Sequence, residues 1–246
     1  SFIAGLIAKL PELTGIKEEF YYPRNIGFIV FPMLTVYFAW KNNITNKKLA
    51  PTFIATLISL AFINFLPDNA KSDTLILSCI HLPLFLWAML GYTFISDDIF
   101  NSQKRLEFLR YNGDLVVMTT LILIAGGILT GITIGLFSLI DFNIGEFHFE
   151  YIVIFGLAAS PIVGTYITQT NPQLVNKVSP VIAKIFSPLV LITLIIYLIA
   201  IIASGKDPYN DREFLMIFNA LLIGVMAIIL FSVAETSRTT KSQTAT

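Results

Sequence analysis

Residues 115–140, LVVMTTLILIAGGILTGITIGLFSLI, contain no Asp, Glu, Lys or Arg. A helix needs about 20 apolar residues to cross the hydrocarbon core of a bilayer, and this run has residues to spare. Strands of a membrane barrel alternate apolar and polar positions over about ten residues, whereas this run is apolar on every side and predicts a helix. The same test applied outward marks six more runs, at roughly 26–40, 49–66, 74–95, 151–170, 186–203 and 214–234. Every charged residue lies outside these cores. The expected fold is therefore all-α, a polytopic transmembrane helix bundle of about seven spans over 26–234. Residues 1–25 are expected to form an N-terminal interfacial segment or the end of an upstream span, and 235–246 a polar tail. There is no initiator Met, so the chain reads as a fragment of a longer protein.

Composition agrees and narrows the function classes. Of 246 residues, 55% are hydrophobic and 13% charged, with a mean hydropathy of +0.76. A soluble domain carries about 25% charged residues. The 16 Lys and Arg balance the 16 Asp and Glu, which leaves no basic footprint for nucleic acid. One cysteine, Cys79, and two histidines, His81 and His148, exclude a disulfide framework and a zinc finger. No nucleophile elbow, Walker loop, HExxH or CxxC pattern occurs, so nothing points to an enzyme, and no cofactor is expected.

The neutral total hides a separation. Lys41, Lys47, Lys48, Lys104, Arg105, Arg110, Lys177, Lys184, Arg238 and Lys241 fall in one set of connections, and Lys71, Lys206 and Arg212 in the opposite set. Positively charged loops stay cytoplasmic, so ten bases against three predict a cytoplasmic C-terminal tail and a beginning outside. The bases of SDDIFNSQKRLEFLRYNG stand among Ile99, Phe100, Leu106, Phe108 and Leu109, which suits a short helix lying in the interface or a docking surface.

Helices in lipid associate closely where small residues let their backbones approach. Gly127, Gly131 and Gly135 recur at four-residue spacing, as do Gly156, Ser160 and Gly164 in the next run. These stripes are expected to pack against each other or against another close helix. Pro83 and Pro161 interrupt the hydrogen-bonding of their helices and predict either hinges or fixed bends. Pro51 and Pro188 are expected in the first turns of theirs, where proline costs little.

An ionisable residue inside a span is a functional candidate, and His81 is the one that qualifies. Asn64 and Asn219 lie in the same outer half, so the three either line an outward polar cavity or hydrogen-bond between helices as packing contacts. The loop DFNIGEFHFE has acids and no base. If extended, it would place Glu146, His148 and Glu150 on one face, giving a weak divalent-cation site or an aromatic belt with solvated acids. In GKDPYNDRE, Asn210 and Glu213 match the spacing of a capping box.

From about His81 onward the order of features resembles a family of multispanning bacterial membrane proteins, domain of unknown function 4153. The resemblance rests on HLPLFLWAMLG, RLEFLRYNGDLVVMTTLILIAGGILTGITIGLFSLI, YIVIFGLAASPIVGTYI and FSPLVLITLIIYLIAIIASGKDPYNDREFLMIFNALLIGVMAIILFSVAE. It covers about two-thirds of the chain and implies a bacterial inner-membrane protein with further spans beyond residue 246. It carries no activity or catalytic residue to transfer. The primary expectation is a non-enzymatic, complex-forming membrane component whose partners are lipids, copies of itself or other membrane proteins. The alternatives are a transporter or channel using Asn64, His81 and Asn219, and a membrane-embedded enzyme acting on lipid-linked substrates.

Overall fold

The computed structural model describes residues 1–69, 71–96, 100–170 and 178–205, with 212, 214–219, 222–224 and 226. The described chain is helical, with no strand. Its helices are α1 (Phe2–Ala8), α2 (Leu10–Thr14), α3 (Glu18–Lys41), α4 (Asn46–Phe65), α5 (Asp73–Ile95), α6 (Ser102–Leu139), α7 (Gly145–Thr170), α8 (Val178–Ser204) and α9 (Phe214–Gly224). Among the described residues, four helical segments are long and apolar enough to cross a membrane: α5, α6, α7 and Ile185–Ser204 of α8.

Four of the about seven expected spans are thus long, apolar helices among the described residues, and the other three expected runs are not. Leu49–Phe65 and α9 are apolar but shorter. The run expected at 26–40 belongs to α3, which begins at Glu18 and carries Glu19, Arg24 and Asn25 in its first two turns. Charge in those turns removes it from the set of long apolar helices. The boundary expected between residues 25 and 26 falls inside this continuous helix.

Two further boundaries differ. The bases at 104–110 do not form a separate interfacial helix; they occupy the first turns of α6, an unbroken 38-residue helix. Good helix formers run through RLEFLR, and Phe108 and Tyr111 bury against neighbouring helices, which carries the helix through Asn112 and Gly113. Pro51 and Pro188 are not in first turns either, because α4 starts at Asn46 and α8 at Val178.

The chain divides into two compact units, one of residues 1–117 and 154–166, the other of 118–153 and 167–246. In the first, α3 packs chiefly on α5, with α4 against both and α1 against α3. Three apolar clusters hold it together. Leu34, Phe38, Leu90, Phe108 and Tyr111 form one, Phe28, Ile63, Leu82 and Leu86 another, and Ala4, Ala8, Ile29 and Ala158 the third. In the first, Phe38 and Phe94 lie 4.8 Å apart, and Phe94 stacks on Tyr111 at 5.2 Å, within the range where aromatic pairs attract. In the other unit, Leu136, Phe137, Ile140, Tyr197 and Phe214 make the core.

Close helix approach in the first unit uses glycines outside the two stripes. A Cβ at Gly27 would meet Leu86 Cδ1 at 3.0 Å, and one at Gly91 the Phe108 ring at 3.0 Å. A Cβ at Gly5 would run into the ring of Phe155.

Candidate functional site

The polar centre of the first unit is built where α3 meets the end of α4. Arg24 sits in the second turn of α3 and is only 2% exposed. A buried charge is tolerated when its hydrogen-bonding capacity is used. Here Nη1 donates to the carbonyls of Ile63 at 3.0 Å and Leu66 at 2.8 Å. Nη2 donates to Pro67 O at 3.4 Å and pairs with Asp68 Oδ1 at 3.3 Å. The guanidinium also lies 4.0 Å from the Phe20 ring centre, a favourable cation–π placement. The last carbonyls of a helix have no partner within it, and the dipole makes that end negative. Arg24 supplies both donors and charge to the end of α4.

One residue on, Asn25 and Asn64 form a reciprocal amide pair. Asn25 Nδ2 donates to Asn64 Oδ1 at 3.0 Å, and Asn64 Nδ2 donates to Asn25 Oδ1 at 2.9 Å. Their remaining donors go to Tyr21 O at 3.1 Å and Leu60 O at 2.9 Å. All four amide hydrogens are therefore engaged, which suits a packing contact more than a binding surface. Leucine at either position alone is expected to cost about 1–3 kcal/mol, since the partner amide is stranded. Both together should cost less than the sum by about 1 kcal/mol. A double-mutant cycle of unfolding in detergent measures this, and additive losses would contradict the pair.

Tyr21 and Tyr22 tie α1 to the same end of α3. Their hydroxyls donate to Ile7 O at 2.7 Å and Ala8 O at 3.1 Å, closing the C-terminus of α1. At the opposite end of α3, Asn42 does for α5 what Arg24 does for α4, donating to Thr93 O and Phe94 O at 3.0 Å. Tyr111 and Thr165 share a buried hydroxyl bond of 2.8 Å.

The three residues expected to share a cavity have different surroundings. Asn64 is paired as above. His81 is exposed on α5, and its Nδ1 lies 2.8 Å from Leu77 O. A carbonyl only accepts, so this nitrogen carries the proton. Asn219 is exposed on α9 and belongs to the other compact unit. Cys79 is a free thiol packed at the edge of the Phe28 and Leu86 cluster.

The loop expected to be extended is helical instead. Residues 145–147 open α7 and His148–Val153 continue it as a π-helical turn. Helical winding removes the common face that alternation would give Glu146, His148 and Glu150. Glu146 is exposed, while His148 is buried with Nε2 3.4 Å from Thr130 Oγ1. Among the described residues no group of His, Cys, Asp and Glu converges to hold a metal ion. The capping box at Asn210 and Glu213, and the tail 235–246, lie outside the described residues.

The glycine stripes also differ from each other. Gly127 and Gly131 are exposed, and a Cβ at 127, 131 or 135 would meet nothing within 4 Å among the described residues. Thr133, Leu136, Phe137 and Ile140, the buried positions of this half of α6, lie on the side turned away from Gly131. In α7, Gly156 is exposed while Ser160 and Gly164 are buried. The two stripes fall in separate units. Beside Ser160, Pro161 cannot donate to Leu157 O, and the Ser160 hydroxyl takes that acceptor at 2.9 Å. Pro83 packs near Gly27 in the α3–α5 contact.

Arg24, Asn25 and the close-contact glycines Gly5, Gly27 and Gly91 were not singled out from sequence. The signal for Arg24 was present: a base followed by Asn, leading without a breaker into the apolar run 26–40. Comparison with family models, curated proteins and solved structures finds no match.

Proposed function

We propose that the chain is a multi-pass component of a bacterial inner membrane that acts by assembling with other membrane proteins or with copies of itself, without catalysis. The observation that carries this reading is the face of α6 bearing Gly127 and Gly131, exposed and opposite the buried side of the helix. Small residues at this spacing let a second helix approach to backbone contact. The engaged donors of Asn25 and Asn64 support packing over a transport cavity at Asn64, His81 and Asn219. The order of the quoted stretches supports placing the chain with domain of unknown function 4153. The concentration of Lys and Arg in one set of connections supports a cytoplasmic C-terminal tail.

Gly131→Ile tests the assembly. Crosslinking in native membranes should show association weakened roughly tenfold, about 1.4 kcal/mol, with the fold retained because the added side chain meets none of the described residues. Unchanged association would remove this face from the proposal.

A further inference from the structure

We infer that Arg24 is an intramembrane cap that lets α4 end about one turn short of the outer membrane surface. The inference rests on the membrane-spanning reading and adds a depth to it. The apolar part of α4, Leu49–Phe65, rises about 25 Å at 1.5 Å per residue. A bilayer's hydrocarbon core is about 30 Å thick. Taken whole, α4 has 20 residues, about 30 Å, against 24 in α3 and 23 in α5, about 36 and 35 Å. Lys47 and Lys48 open α4 beside the inner surface, so the shortfall falls at its other end.

A helix that stops inside hydrocarbon leaves its last carbonyls without water, at a cost of several kcal/mol for each unsatisfied group. The end of α4 has the replacement in place. Ile63 O, Leu66 O and Pro67 O all accept from the Arg24 guanidinium. Helical side chains lean toward the N-terminus, which carries the guanidinium up to the level of Phe20, the ring it stacks on. That level is one turn or less below Glu18, where α3 begins. Asp68, with a side chain 68% exposed, marks where the chain regains the headgroup region. Phe65, the last residue of α4 and 88% exposed, would then face acyl chains.

The test is a depth measurement on the full chain in phospholipid vesicles. In a Cys79→Ser background, a fluorescent label on Phe65→Cys is quenched by lipids carrying a quencher at graded acyl positions. The expected maximum lies in the acyl region, about 5 Å below the headgroups. A label on Leu84→Cys in α5 is the control for the membrane reading itself and should be quenched near the bilayer centre. If only the control behaves as expected, the cap is wrong and the spanning reading survives; if the control fails, the spanning reading falls first. Arg24→Met should move the Phe65 label toward the headgroups by about one turn, and Arg24→Lys should move it less. A Phe65 label at headgroup depth in the parent overturns the inference even if the Arg24 variants do not fold, and so does an unmoved label in a folded Arg24→Met.

Discussion

Arg24→Met is expected to destabilise the protein by about 3–5 kcal/mol, the scale for removing one partner from a buried charged network. The methionine chain replaces most of the apolar stem, so the loss isolates the guanidinium. Ile63 O and Leu66 O lose their donors at 3.0 and 2.8 Å, and Asp68 loses its cation but keeps water, being exposed. Because the carbonyls belong to α4 and the donor to α3, the damage should appear as separation of those two helices. Thermal unfolding in detergent, followed by release of proteolytic sites near residue 66, measures both. Stability within about 0.5 kcal/mol of the parent, the range of ordinary surface substitutions, would mean that other groups satisfy this helix end.

Gly27→Leu is the second large effect. A Cβ at this position already meets Leu86 Cδ1 at 3.0 Å and lies 3.6 Å from the backbone of Pro83. The flexible Leu86 can retreat by a few tenths of an ångström, but the proline backbone cannot. Overpacking a tight core costs about 1–3 kcal/mol, and leucine should exceed the cost of alanine because its branch has nowhere to go. The expected result is loss of the α3–α5 contact, read as a drop in unfolding temperature larger for Leu than for Ala. Equal stability of the parent and both variants would show that the two helices separate freely.

The apolar helices were legible in the sequence because length and absence of charge are local properties. Residues 74–95, 115–139, 151–170 and 186–203 all fall within helices long enough to span. The polar node was not, and the reason is distance along the chain. Arg24 finds its carbonyls 39 to 43 residues away, so no spacing rule brings the two together. Arg24 also belongs to neither of the two sets of loop bases that the charge count compares. Asn64 was visible as a polar residue in a span, but its partner Asn25 lay on the other side of the boundary drawn at residue 26. The alternation in EFHFEY misled for another reason: period two in a short aromatic stretch fits a strand, yet the helix beginning at Gly145 continues through it. Glycine spacing was equally ambiguous. Among the described residues the regular stripe in α6 meets nothing, while the isolated Gly27 and Gly91 carry close contacts.

The hydroxyl of Ser160 changes what Pro161 leaves behind in α7. A proline ordinarily leaves one carbonyl vacant, and that vacancy is what lets a helix flex there or lend an oxygen to a passing ion or water. In this chain the neighbouring serine fills the vacancy from within the same turn. At this step the oxygen that would have been open to an ion or a water is already occupied.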